Sequence, residues 1–298
     1  MMRISSWLSR YTESLEGKRV AITGSTGGIG RELTAYAASL GASLVLLDRN
    51  AARSEGHRQQ LLSHFPDADI RCVPLDLEDL SAAERALGML TDIDVFIHNA
   101  GAYRIERHLC DSGYDNVFQI NFAAPYYMIR RLLPTLRERG GTVVVVGSIA
   151  HTYSKIDPSD VDFRLRTASS KVYGNAKRYL MFALYELFRD ETDVMLAVTH
   201  PGITLTNITS HFPKPIFALI KHPMKWVFMP PKKAALSVLR GVFEATVYHE
   251  WIGPRWFRVW GYPKKSRLHT CKDDECQTIA RLADEVYETC KKTVDLKK

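Results

Sequence analysis

A chain of 298 residues that is 46% hydrophobic and 24% charged has the composition of a folded protein, which excludes disordered, collagenous and low-complexity classes. Its longest apolar runs, such as Thr142–Val146, fall far short of a membrane span, and five widely spaced cysteines make no disulfide framework. Forty Lys and Arg against 33 Asp and Glu leave +7, a charge that by itself invites nucleic acid, a membrane or an acidic ligand.

In chain order, Ile4, Trp7, Leu8, Tyr11 and Leu15 share one helical face, so residues 1–16 are expected to form a short amphipathic helix. Residues 17–298 are expected to form one domain. Short β-branched or Leu-rich runs at 19–23, 43–47, 70–75, 94–98, 142–146 and 194–199 read as buried strands. Helical spacing fills the intervals at 29–39, 52–63, 79–90, 112–137 and 170–190. Such alternation predicts an α/β fold: right-handed βαβ units in a doubly wound, Rossmann-type parallel sheet with helices on both faces. After Pro201 the pattern loosens, resumes as a helix near 233–246, and ends in a helix whose start is marked by Asp273, Asp274 and Glu275. The absence of a signal-like apolar core in the first twenty residues and the unpaired cysteines lead to the expectation of a cytoplasmic protein.

Thr23-Gly24-Ser25-Thr26-Gly27-Gly28-Ile29-Gly30 follows the first strand and opens the first helix of the sheet. Glycines there let the backbone turn sharply and approach a pyrophosphate held on free N–H groups at the helix N-terminus. Asp48 ends the second strand, 18 residues after Gly30, where an acid accepts from the adenosine ribose hydroxyls and repels a 2′-phosphate. Arg49, next in the chain, is placed to hold that phosphate instead. With no Lys or Arg in the loop before Gly28, the reading favours NAD over the alternative, NADP.

Tyr173 and Lys177 lie four residues apart, on one face of a predicted helix. A neighbouring ammonium favours a phenolate, so the pair suits general acid/base work. Ser148 follows the strand at 142–146, at the end of the sheet where ligands bind.

With these residues the chain resembles the short-chain dehydrogenases/reductases of the classical type. The motifs, in order, are the glycine loop 23–30, His98-Asn99-Ala100-Gly101, Asn121, Ser148 and Tyr173-x-x-x-Lys177. His200-Pro201-Gly202 with Thr204 and Thr206 is similar to the family's nicotinamide-carboxamide loop. The resemblance implies that Tyr173 exchanges a proton with the substrate oxygen and that Lys177 binds the nicotinamide ribose and lowers the tyrosine pKa. It also implies that Ser148 holds the substrate oxygen, and that Asn121 holds a water joining Lys177 to solvent. Gly24, Ser25, Gly28, Ile29 and Gly30 would cradle the phosphates, Asp76 and Leu77 would border the adenine, and Asn99, Ala100 and Gly101 would lie under the adenosine ribose. Pro201, Gly202, Thr204 and Thr206 would meet the carboxamide.

Three departures stand out: Ala176 and His98 replace common family residues, and 25 residues separate Ser148 from Tyr173. The long interval and the His-Pro-Gly resemble the retinol and hydroxysteroid dehydrogenase branches. Tyr153, Asp157 and Phe163 in that interval are candidates for the substrate mouth or for a surface loop.

Residues 203–267 are expected to cover the substrate. They hold Trp226, Trp251, Trp256 and Trp260 with Phe212, Phe217, Phe228 and Phe257, which suits a lipophilic alcohol or ketone such as a steroid or retinoid. The same aromatics could equally pack as core or as a subunit interface. Eleven Lys and Arg lie there against Glu244 and Glu250, so the whole excess of charge sits in this segment. Peripheral contact with an anionic membrane, an acidic substrate group, or solvent are its three open destinations. No nucleic-acid motif accompanies it, and the spacing of His269, Cys271 and Cys276 makes no metal set. The resemblance implies a homo-oligomeric alcohol dehydrogenase or ketone reductase; the alternative is a dinucleotide-binding regulator that keeps the fold without the chemistry.

Overall fold

The computed structural model describes residues 3–204 and 228–297. Its centre is one eight-stranded sheet in the order β3-β2-β1-β4-β5-β6-β7-β8. The six anticipated strands are present as β1 (Arg19–Thr23), β2 (Ser43–Asp48), β3 (Ile70–Pro74), β4 (Val95–His98), β5 (Thr142–Val146) and β6 (Met195–Thr199). They pair in parallel, with the order reversing between β1 and β4. At such a reversal the connections leave on opposite faces and open a crevice at the carboxyl ends of the strands.

Strand residues alternate between two cores. Ala21, Val45, Val143 and Val145 face one side, and Val20, Ile22, Leu44, Leu46 and Val144 face the other. The helices are α1 (Ile4–Tyr11), α2 (Gly28–Ser39), α3 (Ala51–Leu62), α4 (Leu80–Leu87), α5 (residues 116–138), α6 (Ser169–Leu187), α7 (Pro231–Phe243) and α8 (Asp273–Asp295). Residues of α4, α5, α6 and α8 build the first core, and those of α1, α2 and α7 the second. The Asn50 and Asp79 side chains accept from Arg53 N and Ser81 N and so cap α3 and α4. Among the described residues, no helix is long and apolar enough to cross a membrane.

Two elements were not anticipated. β7 (Glu250–Trp256) runs parallel to β6, and β8 (Trp260–Arg267) returns antiparallel to form the sheet's edge. Their prolines face each other as the pair Pro254 and Pro263, and the ladder slips between Pro254 and Trp256. Prolines and lysines are what an edge strand tolerates, because neither invites a further strand to pair. Thus part of the expected substrate cover is sheet: Trp251 is buried in the core, while Trp256 and Phe257 are 58% and 92% exposed at the hairpin tip. Trp226, Phe212 and Phe217 lie outside the described residues, as does Thr206.

The helix expected over 112–137 starts later. Gly113 turns the chain at φ +80°, and Asp115 caps the new helix by accepting from Val117 N and Phe118 N. Within α5, the turn Gln119–Ala123 is widened to π spacing. Asn121 supplies a cause: its Nδ2 donates to Val117 O at 2.8 Å, occupying the carbonyl its own backbone N–H would use in an α-helix.

Candidate active site

Ser148 lies just beyond β5 and caps a short 3₁₀ turn, Ile149–Tyr153, by accepting from Ala150 N at 3.1 Å. Helix α6 approaches this turn closely at Gly174, where a Cβ would sit 2.3 Å from Ala150 O. The glycine next to Tyr173 therefore lets the phenol approach the serine, close enough for Ser148 to favour its ionised form. Burial pushes the Tyr173 pKa up to about 12; the neighbouring Ser148 opposes this, and Tyr103 reinforces it. Tyr103 packs edge-on to Tyr173 with ring centroids 5.3 Å apart.

One helical turn on, Lys177 is 2% exposed, and its Nζ stands 5.7 Å from the centre of the Tyr173 ring. It donates to Val146 O at 2.9 Å, and burial pushes its pKa down to about 7. The expected depression of the tyrosine pKa by lysine is absent from this arrangement. Burial of the phenol dominates instead. Asn121 is fully buried beneath the site. It donates to Ala102 O at 2.9 Å and accepts from Ala102 N at 3.3 Å, pinning the strand-end loop to α5.

On the other side of β1, Gly24 adopts φ +68°, and a Cβ there would stand 2.9 Å from Ala100 Cα. Asn99 Nδ2 donates to Thr23 O and Gly24 O at 3.1 and 3.0 Å, so the two glycine-bearing loops brace each other. The Thr23 hydroxyl accepts from Asn99 N and Ala100 N, which directs its own proton to His98 Nδ1 at 3.2 Å. His98 Nε2 then keeps a hydrogen and has no partner among the described residues. Gly28 and Ile29 begin α2, and Gly30 is buried in its first turn.

Asp48 departs from its expected role. It is 5% exposed, and its Oδ1 accepts from Thr26 N and Oγ1 at 3.1 and 3.0 Å. Oδ2 accepts from Ser25 Oγ and from Ser54 Oγ, the latter at 3.1 Å. A carboxylate offers about four acceptor positions, and all are used within the protein. Asp48 is thus the tie between the glycine loop and α3. Arg49 is exposed and meets Glu78 at 3.3 Å. Asp76 accepts from Glu78 N, and Leu77 is buried in the core. Pro201 and Gly202 follow β6, and Thr204 bridges to Met229.

The long interval before Tyr173 divides. Tyr153 is exposed, and Asp157 pairs with Arg166 at 2.7 Å. Phe163 is buried with Val117 and Val172, with Tyr173 packed against them. Phe163 is therefore support for the tyrosine rather than lining of an entrance.

Two further groups were not legible beforehand. His151, fully buried, has Nδ1 2.6 Å from Ser148 O and Nε2 2.8 Å from Thr270 Oγ1. Burial pushes its pKa down to about 4, so the ring is neutral. A carbonyl only accepts, so Nδ1 carries the hydrogen and Nε2 accepts from the threonine. Arg178, beside Lys177, donates to both oxygens of Glu275 at 2.7 and 2.6 Å, to Thr270 O at 2.6 Å and to His151 O at 3.2 Å. The second group is Glu78, His108 and Cys110, whose donor atoms lie within 4.8 Å of one another. Asn116 Nδ2 donates to His108 Nδ1, which leaves the hydrogen on Nε2, facing Glu78 at 2.9 Å. A metal would need a lone pair at that nitrogen, so this arrangement is a hydrogen-bonded cluster.

Comparison with known proteins agrees with this geometry. The family model described as short chain dehydrogenase matches residues 18–159. The chain is 30% identical over 225 residues to the short chain dehydrogenase rstn4 of Aspergillus nomiae, a match covering 65% of this chain and 61% of that one. It is 32% identical over 201 residues to a Streptomyces protein assigned as the daunorubicin C-13 ketoreductase DnrU, covering 65% and 68%. It is 29% identical over 202 residues to mouse retinol dehydrogenase 12, covering 65% and 64%. Among solved structures, an uncharacterised Mycobacterium paratuberculosis protein superposes with a TM-score of 0.74 at 21% identity, over 95% of each chain. With the glycine loop, Asn121, Ser148, Tyr173 and Lys177 assembled at the carboxyl end of the sheet, the chain belongs to the short-chain dehydrogenase/reductase family of NAD(P)-dependent oxidoreductases.

Proposed function

We propose that this protein interconverts a lipophilic primary or secondary alcohol and its carbonyl, with Tyr173 as the acid/base. The observation that carries the reading is the placement of Tyr173 beside Ser148 and one helical turn from the buried Lys177. A regulator that only sensed a dinucleotide would need the glycine loop alone.

The residues suit a nicotinamide dinucleotide. The braced loops at Gly24 and Ala100 form a cradle that a side chain at position 24 would fill. Lys177 has three N–H donors and, among the described residues, the single acceptor Val146 O. Ribose hydroxyls are the partners such a buried ammonium calls for. The bound dinucleotide supplies the group that takes or gives hydride. Ser148 orients the substrate oxygen and stabilises developing charge on it, while the Tyr173 hydroxyl gives or takes the proton at that oxygen. Acceptors on Lys177 raise its pKa and restore the positive charge that brings the tyrosine pKa back toward neutrality. Asn121 holds the loop after Gly101 in place through Ala102.

The occupied carboxylate of Asp48 withdraws the main argument for NAD. Arg49, whose ion pair among the described residues is with Glu78, is an exposed side chain available to a 2′-phosphate, which supports NADP. NADPH is expected to give the larger kcat/KM, and Arg49→Gln to reduce it about tenfold while leaving NADH turnover unchanged. Equal loss with both cofactors counts against this role.

Retinol dehydrogenase 12 and the daunorubicin ketoreductase are relatives named for apolar or polycyclic substrates, which supports a lipophilic one here. The experiment is a screen of retinoids, steroids and aliphatic ketones, followed by nicotinamide absorbance with both cofactors. Turnover on the lipophilic members is expected. Cofactor binding without turnover on any of them would favour the regulator.

A further inference from the structure

Against the hairpin of β7 and β8 lies a cavity of ≈ 670 Å³ that none of Ser148, Tyr173 or Lys177 lines. Its walls come from α1, α7 and the hairpin, and they combine aromatic rings with cations. Lys233 Nζ stands 5.5 Å from the Trp260 ring centre and 5.7 Å from that of Tyr262. Arg255 lies 5.5 Å over Trp256, and Arg240 lies 5.2 Å over Tyr11. Lys233 and Arg240 are thereby held half-buried against ring faces, while Arg255 lies over its ring at the exposed rim.

The lining contains no carboxylate among the described residues. Arg240 is committed to Glu244 at 2.5 Å and to Pro263 O at 2.7 Å. Lys265, outside the lining, takes the other oxygen of Glu244 at 3.1 Å. Lys233, Arg255 and Lys264 make no ion pair among the described residues. Gathering like charges without a counter-charge costs free energy that an anion entering the cavity recovers. The volume lies within the range of small-molecule sites.

From this juxtaposition we propose that the cavity binds a small amphipathic anion. Its carboxylate, sulfate or phosphate head would meet Lys233 and its neighbours, and its flat apolar body would lie against Trp256, Trp260 and Tyr262. The site is separate from the proposed catalytic cleft. It nevertheless adjoins the loop after β6, because His200 Nε2 donates to Arg258 O at 2.9 Å across the hairpin turn.

The test is calorimetric titration of the full chain with naphthalene-2-sulfonate and with uncharged 2-methoxynaphthalene, at low and high salt. The expected result is one sulfonate bound per chain, at least about tenfold tighter than the neutral compound and weakened by salt. The double variant Lys233→Glu, Lys264→Glu should lose at least about tenfold in sulfonate affinity while keeping its circular dichroism and its NADPH affinity. Equal affinity for the two naphthalenes in the unaltered protein overturns the proposal, whatever the variant does. Co-sedimentation with phosphatidylserine vesicles, in the absence of sulfonate binding, also overturns it and makes the patch a lipid-surface contact.

Discussion

Lys177 is where burial bears on both stability and the proposed cofactor binding. Its pKa in the folded protein lies near 7, below the ordinary lysine value, because the ammonium is desolvated. The unfolded chain therefore holds more protons between about pH 7 and 10.5, and stability contributed by this group rises with pH across that window. Lys177→Met should stabilise the cofactor-free protein at pH 7 by on the order of 2 kcal/mol, read as a higher urea midpoint, while abolishing turnover. A lower midpoint contradicts the assigned cost. Binding has the opposite sign. Ribose hydroxyls need the charged ammonium, so dinucleotide affinity should fall by up to about tenfold per pH unit above 7 and flatten in Lys177→Met. An unchanged slope in that variant removes Lys177 from cofactor binding. Tyr173, Lys177 and Ser148 were readable in the sequence because spacing and strand ends place them. Asp48 was readable as a position but not as a partner, since its four donors come from Ser25, Thr26 and Ser54, whose side-chain directions no spacing encodes.

At the scale of elements, α6 and the N-terminus of α8 are joined by Arg178, which is buried and divided among Glu275, Thr270 and His151. Removing the guanidinium leaves a carboxylate and two carbonyls without their donor. Arg178→Met should therefore cost roughly 3–5 kcal/mol in urea unfolding and lower turnover through the turn that carries Ser148. A loss under about 1 kcal/mol would falsify the clamp. The regular β and α alternation was legible because each strand is a short buried run between turn residues. β7 and β8 were not, since Pro254, Pro263, two glycines and the basic residues Arg255, Lys264, Lys265 and Arg267 obscure both periods. The π turn was hidden as well. It arises from one asparagine competing with its own backbone, a local contest that hydrophobic patterning does not record.

Across the whole molecule, the excess positive charge lies in the region of the hairpin and α7 rather than spread over the dinucleotide-binding body. There it has two physical uses: lysines on β8 discourage edge pairing, and cations stacked on tryptophans line a cavity. The sheet reversal between β1 and β4, with two braced loops on one flank and the Ser148 turn on the other, brings residues from 24 to 177 to one crevice. Such convergence is a property of topology, and it is why the motifs mean more together than singly. The central claim is that Tyr173 moves the proton. Turnover of Tyr173→Phe on the preferred ketone should fall about 10²-fold or more, with dinucleotide affinity unchanged. Near-normal turnover in that variant would contradict the account.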